Sequence, residues 1–201
     1  MPLRLQKADA ASCFHADEYF NALYPFSVAT LASRHWTPLT VARLAAEFLA
    51  TRDKVRILDI GSGVGKFCLS AAYYAPQAMF YGVEQRKRLL HHAVNVQKLL
   101  GLENVSFIHG NFTQLDFLDY DHFYFYNAFY ENLEGTEKVD DRLDYSSELF
   151  HYYNNCLYRQ LDRKGPGTRL VTYHSSEEEI PPGYRLMDSM KDGLLRFWIK
   201  A

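Results

Sequence analysis

Nine residues, Leu58-Asp59-Ile60-Gly61-Ser62-Gly63-Val64-Gly65-Lys66, restrict what this chain can fold into more than any other stretch. They follow a β-branched run, Val55 to Ile60, and open a helical pattern, Gly65 to Tyr74, as a strand-turn-helix built to let backbone approach a ligand should. A dinucleotide fingerprint, Gly-x-Gly-x-x-Gly, would put its third glycine at position 66, where Lys66 stands; here it comes one residue early, at Gly65. A nicotinamide cofactor is therefore the weaker reading of the loop.

The rest of the chain continues the alternation. Met79 to Glu84 reads as a second strand, and Arg86 to Leu100 as a helix ended by Gly101. Val105 to His109 is a third strand, Tyr120 to Tyr126 a fourth, Tyr145 to Leu161 a helix and Arg169 to His174 a fifth strand. Strands alternating with helices predict an α/β fold with a doubly wound, mainly parallel sheet. Tyr184 to Met190 and Leu194 to Ile199 flank Lys191-Asp192-Gly193, so the sheet closes with a C-terminal antiparallel hairpin and counts seven strands.

Ahead of the first strand, Thr37-Pro38 followed by Leu39, Val41, Leu44, Ala45 and Phe48 marks a helix start, with Thr37 as N-cap. This divides the chain into an aromatic-rich N-terminal helical cap, residues 1–36, and a ligand-binding domain, residues 37–201. The cap is expected to form one or two short helices over the ligand edge of the sheet. A length of 201 residues suits such a domain, which needs no disulfide or metal staple. Cys13, Cys68 and Cys156 are odd in number and lack Cys-x-x-Cys spacing, so a metal site is not expected. The first 30 residues carry Asp9, Asp17 and Glu18 without an apolar signal core, so a cytoplasmic location and no membrane partner are expected.

With Asp59 in front, the loop resembles the first motif of the class I S-adenosylmethionine-dependent methyltransferases. The resemblance extends over residues 37–201, including the terminal hairpin. It implies a seven-strand Rossmann-like sheet, S-adenosyl-L-methionine as cofactor and methyl transfer as the activity. On this resemblance the cofactor-binding set is Thr37, Asp59, Gly61, Gly63, Gly65, Glu84, Asn111, Phe112 and Asn127. Glu84 ends the second strand 19 residues after Gly65, where a carboxylate accepts ribose hydroxyls. Asn111 stands where the family usually has an acid reading the adenine amine, and Phe112 where an apolar residue packs on the ring. Tyr81-Gly82-Val83-Glu84 and Phe125 to Tyr130 add a fainter similarity to the non-SET histone-lysine methyltransferases and their bacterial relatives.

Residues just after the fourth strand face the reacting methyl in such a sheet. Asn127-Ala128-Phe129-Tyr130 resembles the Asn/Asp-Pro-Pro-Tyr/Phe motif of amino-group methyltransferases, with Ala128 and Phe129 in place of both prolines. Asn127 and Tyr130 are the catalytic candidates. For a lysine of pKa about 10.4, neutrality at pH 7 costs about 4–5 kcal/mol, which an aromatic pocket of Tyr126, Phe129 and Tyr130 would offset.

Charge points the same way: residues 131–144 hold six acids against Lys138 and Arg142, and Glu177, Glu178 and Glu179 follow the fifth strand. With a net charge of −2 overall, these segments predict attraction of a cationic protein segment or small amine. A nucleic-acid partner is not expected. Arg86-Lys87-Arg88 is expected to be surface charge. The alternatives are a small-molecule N- or O-methyltransferase and a non-catalytic S-adenosylmethionine-binding protein.

Overall fold

Ile57, Leu58 and Ile60 are all fully buried although they point to opposite faces of one strand, and a strand buried on both faces has to lie inside a covered sheet. The computed structural model describes residues 7–201; residues 1–6, the start of the expected cap, lie outside the described residues. Four short helices come first, α1 (Lys7–Ser12), α2 (Asp17–Asn21), α3 (Phe26–Ala29) and α4 (Ala32–His35). They are followed by α5 (Leu39–Leu49), β1 (Arg56–Ile60), α6 (Lys66–Tyr74), β2 (Met79–Glu84), α7 (Lys87–Leu100) and β3 (Val105–His109). The chain ends with β4 (His122–Tyr126), α8 (Ser147–Asp162), β5 (Arg169–Tyr173), β6 (Tyr184–Met190) and β7 (Leu195–Lys200).

The seven strands run in the order β3-β2-β1-β4-β5-β7-β6. β1 to β5 pair in parallel, and β7 runs antiparallel between β5 and β6. The expected doubly wound sheet with its antiparallel hairpin is therefore the fold observed. The strand order reverses between β1 and β4, so the crevice beyond their carboxyl ends is where ligands of such sheets bind. One core packs α5, α6 and α7 on the sheet through Ala42, Ala45, Leu69, Ala72 and Val96; the other packs α8 through Leu157 and Leu161 against Phe117, Phe123 and Leu170. Among the described residues, no helix is long and apolar enough to cross a membrane. β6 is exposed from Arg185 onward, and its pairing with β7 is irregular between Leu186 and Asp188.

The N-terminal segment differs from the expectation in detail. It forms four helical turns instead of one or two, and Phe20, Tyr24, Val28 and Trp36 join the first core. Phe14 stacks on Tyr73 of α6 with ring centroids 3.9 Å apart. Thr37 does not cap α5 with its side chain: its hydroxyl pairs with the Tyr124 hydroxyl at 3.0 Å, and the Leu39 N–H instead donates to Asp17 Oδ1 at 3.0 Å. The cap comes through space because Asp17 is already held at this spot. Its Oδ1 also accepts from Lys66 Nζ at 2.5 Å, and that ammonium is buried beneath Phe20 and Trp36.

His122, at the start of β4, is buried, with Nδ1 accepting from the Arg169 N–H at 3.0 Å and the Nε2–H therefore donating to the Thr51 hydroxyl at 3.1 Å. Burial lowers its pKa to about 4. Because the folded value lies below the unfolded one, this histidine's contribution is full above pH 6.5 and is lost as pH falls from 6.5 toward 4. The stability difference between wild type and His122→Asn, read from urea titrations, is expected to shrink by about 1–3 kcal/mol over that window. A pH-independent difference would show that His122 is not held neutral.

Candidate functional site

Beyond the carboxyl ends of β1, β2 and β4 lies a cavity of about 650 Å³, within the range that holds a nucleoside-sized ligand. Gly61, Gly63, Glu84, Phe112, Asn127 and Tyr130 stand on its walls, together with Trp36, Arg86, Ala128 and Tyr153. The glycine loop forms one side, in left-handed backbone with φ +79° at Gly61 and +55° at Gly63. The two glycines serve different ends. A Cβ on Gly61 would lie 2.4 Å from the Ala128 Cβ, so here the loop and the turn after β4 touch backbone to side chain. A Cβ on Gly63 would meet no protein atom within 4 Å and would project into open space, as a loop that cradles a ligand requires.

Glu84 closes the floor, almost fully buried. Its Oε2 accepts from the Gly63 N–H at 3.0 Å and its Oε1 from the Arg86 N–H at 2.7 Å, leaving lone pairs on both oxygens for ligand hydroxyls. Burial pushes this carboxyl above its ordinary pKa, opposed by the Arg86 N–H and by the guanidinium of Arg86. Phe112 stacks on Phe129 with centroids 4.9 Å apart, giving the cavity an apolar, flat wall. At the junction of β4 and its following turn, Asn127 takes a φ of +39°. Its side-chain amide makes no hydrogen bond to the described residues.

Four of the expected cofactor residues lie behind these walls. Thr37 is tied to Tyr124, and Gly65 packs against Phe107 and Ala93 at the start of α6. Asn111 caps a 3₁₀ turn through Thr113 N–H and donates to Gln85 and Tyr153, both at 3.1 Å. Asp59 is buried below the loop, where the Cys68 thiol donates to it at 3.5 Å. Burial pushes its carboxyl up to about 8, with the Cys68 hydrogen bond opposing the rise and the charge of Glu84 adding to it.

Arg86 is a correction. It is not surface charge: its side chain is only 10% exposed and meets Glu131 at 2.5 Å, Asp140 at 3.4 Å and the Tyr145 hydroxyl at 2.9 Å. Its position two residues after Glu84 was the available clue. The acidic segment changes meaning with it, because Glu131 and Asp140 are paired with Arg86, and Glu137 with Arg34. Half of the six acids in residues 131–144 thus have ion-pair partners, Glu131 and Asp140 sharing the buried Arg86 and Glu137 meeting Arg34 at the surface.

Comparison with known proteins fits this geometry. A methyltransferase domain model matches residues 51–136. The release factor glutamine methyltransferase of Buchnera aphidicola is 27% identical over 107 residues, 53% of this chain and 38% of that protein. The tRNA (guanine-N(7)-)-methyltransferase of Microcystis aeruginosa is 43% identical over 54 residues, 27% of this chain and 26% of that protein. The chain thus spans well under half the length of either curated relative. Among solved structures, an RNA methyltransferase from Salinibacter ruber in complex with S-adenosyl-L-homocysteine shares the fold with a TM-score of 0.56, at 21% identity, over 82% of this chain and 92% of that one. These findings overturn the expectation that nucleic acid is not a partner. That expectation rested on the net charge of −2 and on the acids of residues 131–144 and 177–179, of which Glu131, Glu137 and Asp140 are tied into ion pairs with Arg86 and Arg34.

The two glycines make opposite predictions. Gly61→Ala should cost about 2–5 kcal/mol in stability, from strain and overlap with Ala128, and Ala128→Gly should restore part of it. Gly63→Ala should cost only about 1–2 kcal/mol of strain yet weaken S-adenosylmethionine binding at least about tenfold by calorimetry. Equal stability losses, or an unchanged affinity in Gly63→Ala, would contradict the assignment of the cavity. Loop spacing, sheet order and the matched segment agree: residues 51–136 match a methyltransferase domain, and the sheet has the fold of the solved methyltransferase structure.

Proposed function

We propose that this chain is an S-adenosylmethionine-dependent methyltransferase whose acceptor is a nitrogen of an RNA base. One arrangement carries the reading: the open space at Gly63, the carboxylate of Glu84 and the ring of Phe112 line one cavity that ends at Asn127. Gly63 lets backbone lie against the cofactor, Glu84 has lone pairs free for ribose hydroxyls, and Phe112 offers a face to adenine. When bound, S-adenosylmethionine supplies a methyl group already activated on a sulfonium, so no covalent protein intermediate is needed.

The protein's part is orientation and exclusion of water, and well-aligned reactants gain up to about 7–11 kcal/mol from it. Asn127 Oδ1 is free to accept from an N–H of the acceptor, and Tyr130, 49% exposed, offers an aromatic edge beside it. The relatives named for tRNA and RNA support a base as acceptor. A glutamine amide is the second reading, favoured by the 107-residue match to a release factor enzyme. A lysine or small amine, the reading suggested by residues 131–144, loses that support once Glu131, Glu137 and Asp140 are paired.

The first test is the melting temperature with S-adenosylmethionine, S-adenosylhomocysteine and NAD in parallel. The two sulfur compounds at 100 times their Kd are expected to add about 2.7 kcal/mol, a shift of several degrees, and NAD nothing. Stabilisation by NAD alone would refute the reading. In a radiolabel assay on RNA, Asn127→Ala should slow transfer while leaving cofactor affinity unchanged.

A further inference from the structure

A second cavity, of about 740 Å³, adjoins the first across Arg34, Trp36, Tyr126, Asn127 and Tyr130, which line both. Its far side is Tyr173 and His174, at the carboxyl end of β5. Two observations single out this end of the sheet. The first is backbone strain: apart from glycines, Asn127 at φ +39° and His174 at φ +55° are the residues lining these cavities in the left-handed region, and they follow adjacent strands. Such strain, of order 1–3 kcal/mol per residue, persists only where surrounding structure enforces it, and it collects where side chains are aimed at a ligand. Here the His174 N–H is held by Leu194 O at 2.9 Å.

The second observation is the ring cluster. Tyr126 lies 4.7 Å from Tyr173 and 5.6 Å from His174, and Tyr173 lies 4.3 Å from His174, all between centroids. The Tyr126 hydroxyl is occupied, donating to Arg34 O at 3.1 Å, whereas no hydrogen bond to the described residues uses the His174 imidazole. An aromatic-walled chamber with one free imidazole, opening on a free carboxamide, suits a flat ligand that presents an N–H.

We propose that this second cavity seats a nucleobase by its exocyclic amino group, and that His174 takes the proton this amine loses. The inference rests on the methyltransferase reading above and narrows its acceptor to an amine-bearing base. As the new N–C bond forms, the electron pair of the broken C–S bond stays with sulfur, and the N–H proton moves to the neutral imidazole. Asn127 Oδ1 holds the second N–H of the same amine. Burial lowers the His174 pKa, which keeps the ring neutral at physiological pH. The charged groups lining the chamber are Asp17 paired with Lys66, and Arg34 paired with Glu137, while Arg196, paired with Glu177, donates to Ser175 O next to His174 in the chain; Tyr126, Tyr130 and Tyr173 supply the phenols.

The test reads His174 directly. Its imidazole proton resonances, assigned by their loss in His174→Gln, are followed in the full chain while trinucleotides of A, C, G or U are added without cofactor. The bases of A, C and G carry an exocyclic amine and that of U does not, so a shift with at least one of the first three and none with U is expected. In turnover assays His174→Gln should slow transfer about 100-fold or more and abolish the fall in rate at low pH, while trinucleotide binding stays within a few-fold. A normal melting shift with S-adenosylmethionine would show that the variant is folded. An equal response to U, a response only to a glutamine-containing peptide, or an unaltered pH profile in His174→Gln overturns the inference. Cofactor binding with a silent His174 sinks only the inference, whereas absence of cofactor binding in the wild type sinks the methyltransferase reading.

Discussion

The contact between Gly61 and Ala128 governs how the site is built. It sits where the strand order reverses, so the loop after β1 and the turn after β4 meet with only the Ala128 methyl group between them. A larger residue on either side would push the turn away from the loop. Ala128, in the place taken by proline in related motifs, sets its methyl group directly against Gly61. From that fixed point Asn127 is turned into left-handed backbone between two chambers, and the walls on either side follow.

Electrostatics around the first chamber follow from burial. Glu84 and Arg86 lie at 3.7 Å, both nearly excluded from solvent, and Arg86 also gathers Glu131 and Asp140 from the segment after β4. Buried charges are tolerated when their hydrogen-bonding capacity is met, and here one guanidinium serves three carboxylates and a phenol. Residues 131–145 are thereby strapped along the wall of the first chamber. An acid-rich segment that would look like a lure for cations in a list of residues acts instead largely as a tether.

The fold could be read from the chain because its signals are local. β2, β3 and β6 begin and end where hydrophobic pattern and turn residues place them, and β1, β4, α6 and α8 differ by one or two residues at their ends. The glycine loop and Glu84 were legible for the same reason, since strand-end position alone brings them together. What escaped was everything decided across space. Asp17 caps α5 from 22 positions away, Asn111 turns to Gln85 and Tyr153, and Asp59 faces Cys68 below the loop. Neither the pairing of Arg86 nor the meeting of His174 with Tyr126 leaves a periodic trace, because each joins the ends of different strands.

The ion pair between Lys66 and Asp17 also bears on how the chain acquires its structure during synthesis. Helices α1 to α4 leave the ribosome ahead of the partners that hold them, Lys66, Val64 and the rings of Tyr73 and Tyr74, which emerge some fifty residues later. At about 5–20 residues per second, the N-terminal turns spend seconds with their aromatic side chains uncovered. They can lock only after the glycine loop has been made, so these turns are secured well after their own synthesis, and Lys66 is the residue whose arrival permits it.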